Sequence, residues 1–146
     1  MASNSALAAV LFLTSFMFGC GLAATVVVGG SEGWRSGYNY TDWALKHGPF
    51  YINDTLVFKH VATNTSNESE SHSVYLLPNL YSYVQCDFSR AQLLSNPSQV
   101  EESAGFSYQL TQWRPQYFAS GEGDDSADCK RGLMKFFVVP LPRWFN

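Results

Sequence analysis

A chain of 146 residues has room for one ordinary domain with a real core. Aromatic residues make up 16% and charged residues only 14%, a composition for burial that excludes intrinsic disorder. The formal charge is -3 and the nine Lys and Arg are scattered, so no positive patch faces a phosphate backbone and nucleic acid is excluded as a partner.

The first two dozen residues contain no Lys or Arg, and apolar stretches at 6–13 and 16–18 run into Gly21-Leu22-Ala23-Ala24. This pattern predicts a secretory signal peptide over 1–23, with Gly21 and Ala23 as the small pair before the cut, or over 1–24. The competing reading is an uncleaved anchor, because the apolar segment is nearly long enough to span a bilayer. Thr14, Ser15 and the small-residue end favour the signal. The mature chain is then secreted and without a membrane span, with one domain over 24–140 and a short C-terminal tail over 141–146. That tail is too short for a linker or a lipid-anchor signal.

Residues 25–28 form a β-branched run closed by Gly29-Gly30, which suits an opening strand. Thr41 or Asp42 is placed to cap a short helix over 43–47 that Gly48-Pro49 stops. Residues 50–52, an Asn53-Asp54 turn and residues 55–61 read as strand, turn, strand, with Leu56 and Phe58 on one face. The polar stretch 62–71 reads as a loop. Residues 72–77 return to strand until Pro78, and 79–86 suits one or two helical turns that pack Tyr81 and Tyr83. Alternation at 106–110 and 116–119 and the apolar run 133–139 predict three further strands. Short strands at regular spacing indicate an all-β sandwich or Greek-key barrel.

Loss of Cys20 with the signal leaves Cys86 and Cys129, and two thiols in an oxidising compartment are expected to pair. Four N-glycosylation sequons lie behind the signal, at Asn39, Asn53, Asn64 and Asn67; Asn96 is disqualified by Pro97.

The residues 26–30, Gly33-Trp34, Tyr40 with Trp43-Ala44, the run 53–59, His72-Ser73-Val74, Tyr81 with Cys86, Tyr117-Phe118, and Cys129 with Gly132 together resemble the phytocyanin family of plants. The resemblance spans nearly the whole mature chain in order. It implies an all-β, cupredoxin-like Greek-key β-sandwich or barrel with one or two short helices and one disulfide, Cys86 to Cys129. Copper-binding members hold the metal between two His, one Cys and an axial Met or Gln. A thiolate supplies the strong soft bond, two imidazoles complete a trigonal plane, and the weak axial ligand tunes the potential.

Carried onto this chain, the first His falls on His72. The copper Cys falls on Ser120, the second His on Asp128, and the axial ligand on Leu133, beside Met134. Three of four ligands are absent, and a hydroxyl at Ser120 is a hard, feeble ligand. The positions read as a vestigial copper site, with no metal, no cofactor and no catalytic residue expected. The alternative is a blue-copper electron-transfer protein with a degenerate copper site. Ser in place of the copper Cys resembles the early nodulin-like branch. Its members are regarded as cell-surface or wall-associated glycoproteins, so the resemblance implies a location in the apoplast or at the outer face of the plasma membrane.

Three sharper readings compete with this one. Glu122, Asp124, Ser126 and Asp128 alternate like a calcium loop, but Ala127 and Leu133 stand where Gly and a bidentate Glu are wanted, so an acidic loop is the better reading. Ser120 with His72 and an acidic neighbour invites a hydrolase reading, yet Ala119-Ser120-Gly121 lacks the Gly of a nucleophile elbow. Aromatic side chains suit sugar rings or a partner protein. Tyr81 and Tyr117 read as core, and Trp113 and Tyr75 are the candidate ligand surface for a cell-wall glycan or an extracellular protein.

Overall fold

The computed structural model describes residues 22–60, 72–98 and 104–145. Residues 1–21 of the expected signal, the polar loop and the sequons at Asn64 and Asn67 lie outside the described residues. Two sheets face each other. One has the order β1-β2-β5, from Thr25–Val27, Thr55–Phe58 and Phe106–Gln109. The other has the order β4-β3-β6-β7, from Gln92–Ser95, Val74–Leu77, Gln116–Ala119 and Lys135–Val138. β1 and β2 are parallel and every other pair is antiparallel. This is the cupredoxin-like β-sandwich, with the Cys86–Cys129 disulfide in place.

The aromatic content fills the space between the sheets. Trp34, Tyr40, Phe58, Phe118 and Phe136 are all fully buried. The Phe118 and Phe136 rings stack 5.2 Å apart, and the Trp34 and Phe58 rings meet edge-on at 5.1 Å. Such contacts add to the area that each ring removes from water. The polar edges are satisfied: Trp34 Nε1 donates to the Ser73 carbonyl at 3.0 Å, and the Tyr40 hydroxyl donates to the Gly33 carbonyl while accepting from Arg35 N. Burial raises the Tyr40 phenol well above its ordinary pKa.

Helix α1, Tyr40–His47, starts earlier than the sequence suggests, because Asn39 and not Thr41 or Asp42 is its cap; the Asn39 side chain accepts from Asp42 N at 3.0 Å. Thr41 instead meets the Tyr83 hydroxyl at 2.6 Å and donates to the Lys135 carbonyl. Helix α2, Leu80–Gln85, buries Tyr83 but turns Tyr81 outward, 68% exposed. Tyr81 is therefore not core: two residues along a helix is a rotation of roughly 200°. Residues 50–52 form only a bridge, Tyr51 to Leu141, rather than a strand. The acidic stretch contains a short helix, α3, Ala127–Lys130, beside an Asp125–Lys130 ion pair of 2.9 Å. The Lys130 contact holds the Asp125 carboxyl below its usual pKa.

Asn79 caps α2 by accepting from Ser82 N at 2.9 Å. Its replacement by Ala is expected to lower stability by about 1 kcal/mol, read as a shift in the urea midpoint without a change of slope.

Candidate functional site

The antiparallel pairing of β3 with β6 sets Tyr75 opposite Ala119, so the residues before β3 and those after β6 meet at one end of the sandwich. They are stitched together there: Gly121 N donates to the Ser73 hydroxyl at 3.0 Å, and Ser120 N donates to the Met134 carbonyl at 3.0 Å. His72 and Ser120 are thereby fixed side by side, 4% and 0% exposed. Asp128 arrives on α3, whose next residue is the bridging Cys129.

One carboxylate oxygen joins the three. Asp128 Oδ2 accepts from Ser120 Oγ at 2.8 Å and lies 2.6 Å from His72 Nδ1, which is the donor when it faces a carboxylate. Asp128 is itself 8% exposed. The structure thus brings together His72, Ser120 and Asp128 of the four positions singled out in the sequence. It does not add the fourth. Leu133 has φ 60 and is 42% exposed, while its neighbour Met134 is fully buried in the aromatic core.

The arrangement has chemical consequences. The Ser120 hydroxyl gives its hydrogen to Asp128, whereas nucleophilic catalysis needs the imidazole to take it. The alternating oxygens of 122–128 do not converge, since Asp128 turns inward and Asp124 is exposed. Among the described residues no three His, Cys, Asp or Glu side chains are placed to hold a metal ion.

Beside this cluster opens a cleft of about 590 Å³, lined by Ser36, His72, Glu122, Asp128, Arg131 and neighbouring glycines. It mixes acceptors with one guanidinium. Gly37 N donates to the Gly132 carbonyl at 2.7 Å, closing the wall. A side chain at Gly132 would collide with the Ser36 hydroxyl and the Asp128 carbonyl. Ser36 and Arg131 carry no sequence motif, so only the fold assigns them to the cleft, where Gly132 of the quoted pattern joins them.

The two candidate ligand aromatics lie apart. Tyr75 packs edge-on against Phe88 at 5.2 Å, and its ring lies 2.9 Å from where a side chain at Gly121 would begin. Trp113 is 60% exposed and lies in the connection before β6, at the other end of that strand from Ser120. Tyr117 is partly buried against Tyr83 and Phe137. Asn39 and Asn53 are both exposed, and Asn53 has φ 76 in the turn before β2.

No family model matches the chain, and no curated protein matches it. Several solved structures are similar, among them three plant proteins. Cucumber basic protein, a blue copper protein, is 26% identical over 81% of this chain and 100% of its own, with a TM-score of 0.58. Cucumber stellacyanin with Cu2+ is 24% identical over 83% of this chain and 98% of its own, with a TM-score of 0.59. Spinach plantacyanin is 21% identical over 82% of this chain and 99% of its own, with a TM-score of 0.50.

The donors in this chain do not fit a blue-copper centre. Both Cys among the described residues are joined to each other, the Ser120 hydroxyl and the His72 Nδ1 are committed to Asp128, and Leu133 offers no donor atom. With that difference at the site, the chain has the cupredoxin-like fold, and its solved neighbours are phytocyanins, which supports the phytocyanin family for it.

Proposed function

We propose that this is a secreted cell-surface or cell-wall glycoprotein of the early nodulin-like kind, which binds an extracellular glycan or protein and neither carries copper nor catalyses a reaction. The observation that carries the reading is the Asp128 carboxylate bonded to both Ser120 and His72. A carboxylate that bonds directly to both neighbours occupies the centre of the old ligand set. It satisfies buried polar groups that would otherwise cost free energy. The polar cleft alongside supplies hydrogen-bonding groups for a hydroxyl-rich or peptide ligand. The other reading, electron transfer through a degenerate copper site, draws support from neighbours that are copper proteins.

Copper separates the two. Addition of Cu2+ to the purified protein is expected to leave it without an intense thiolate-to-copper absorption band, and a blue parent protein would overturn the proposal. The double variant Ser120→Cys, Asp128→His restores two donors at the carried-over positions. It is expected to gain that band, which tests the assignment of those positions independently.

A further inference from the structure

At the opposite end of the sandwich from His72, the turn before β2 holds Asp54, only 3% exposed. Both oxygens of its carboxylate are used. Oδ2 accepts from Tyr51 N at 2.9 Å, and Oδ1 accepts from Ala24 N at 2.9 Å and from a guanidinium N–H of Arg143. The Ala24 carbonyl accepts in turn from Thr55 N at 2.9 Å. Both backbone groups of Ala24 are therefore bound, while Leu22 is 82% exposed and Ala23 is exposed as well.

A carboxylate buried this deeply is favoured by positive partners. Arg143 is one. The Ala24 amide is neutral in the uncut chain, but hydrolysis of the Ala23–Ala24 bond by a peptidase changes that. Water gives its hydroxyl to the Ala23 carbonyl carbon and a hydrogen to the Ala24 nitrogen. The amine so formed takes up a proton and becomes an ammonium, against the same carboxylate. We propose that the chain is processed between Ala23 and Ala24 and that Asp54 is the receptor for the new α-ammonium, so that maturation adds a second cation to a buried anion. A cut one residue later would remove both the nitrogen that reaches Asp54 and the carbonyl that accepts from Thr55. The structure thereby discriminates between the two cut sites that the sequence left open.

Among the described residues, the ammonium would meet Asp54 and, on the same carboxylate, Arg143, whose guanidinium lies 5.1 Å from the Tyr51 ring. The neighbouring carboxylate raises the pKa of the ammonium in the folded protein, against a smaller opposing push from the Arg143 guanidinium on the same oxygen. Its stabilisation is complete below the unfolded value of about 7.7–8.0 and is lost as pH rises through the higher folded value.

The test begins with the full chain expressed in a secreting host. N-terminal sequencing of the product is expected to read Ala24-Thr25-Val26-Val27, and a product beginning at Thr25 overturns the proposal. Thermal unfolding then compares the chain that starts at Ala24 with one that retains Leu22 and Ala23. The Ala24 form is expected to melt roughly 4 °C higher at pH 6, a gap that closes by pH 10. Equal midpoints at pH 6, or a gap unchanged at pH 10, refute the receptor role. Asp54→Asn is expected to abolish the gap; should that variant fail to fold, the pH dependence of the two unsubstituted forms still decides.

Discussion

Replacing Cys86 and Cys129 together by Ala is expected to lower stability by about 4 kcal/mol, the chain-entropy value for a loop of this size. The bridge spans 43 residues, and opening it returns that loop entropy to the unfolded chain. The effect reaches beyond the two sulfurs. Cys86 ends α2 in a left-handed conformation with φ 51, and Cys129 lies in α3, so the bridge clips the helix bearing Asp128 onto the body of the sandwich. Guanidinium denaturation of parent and double variant checks the figure. A loss under about 1 kcal/mol would show that packing alone holds α3 in place.

Asp128→Ala is expected to cost about 3 kcal/mol. The substitution withdraws the acceptor from the His72 Nδ1 and from the Ser120 hydroxyl in a buried setting, at roughly 1–3 kcal/mol for each group left short of a bond. Asp128→Asn keeps the shape and one acceptor, so about 1 kcal/mol is expected for it. A double-mutant cycle with Ser120→Ala isolates the coupling: once the hydroxyl is gone, Asp128→Ala should cost measurably less. Strict additivity of the two changes would refute the shared-carboxylate arrangement.

The readable parts of the fold were those where one face of an element meets the core. Residues 116–119 form a strand of the expected bounds, with three of its four residues buried, and Leu56 and Phe58 share a buried face. Strand β4, Gln92–Ser95, left no comparable signal, because Gln92 and Leu93 both face solvent and the strand lies at a sheet edge. Tyr81 was misplaced because the phase of a six-residue helix is set by what it packs against, here Tyr83 on Tyr117 and Phe137.

The site was legible only through resemblance, which aligned His72, Ser120 and Asp128 without showing that one oxygen binds the other two. His72 and Asp128 are 56 residues apart, and no local pattern announces such a pair. The same holds for Asp54, whose partners lie 30 and 89 residues away. Read locally, that Asp is only the second residue of a turn.

Ala24 and Arg143 converge on one carboxylate at the pole where β2 and β6 begin, while the cleft opens at the pole where β6 ends. The first and last described segments are therefore pinned to each other through one carboxylate, at the far pole from the cleft.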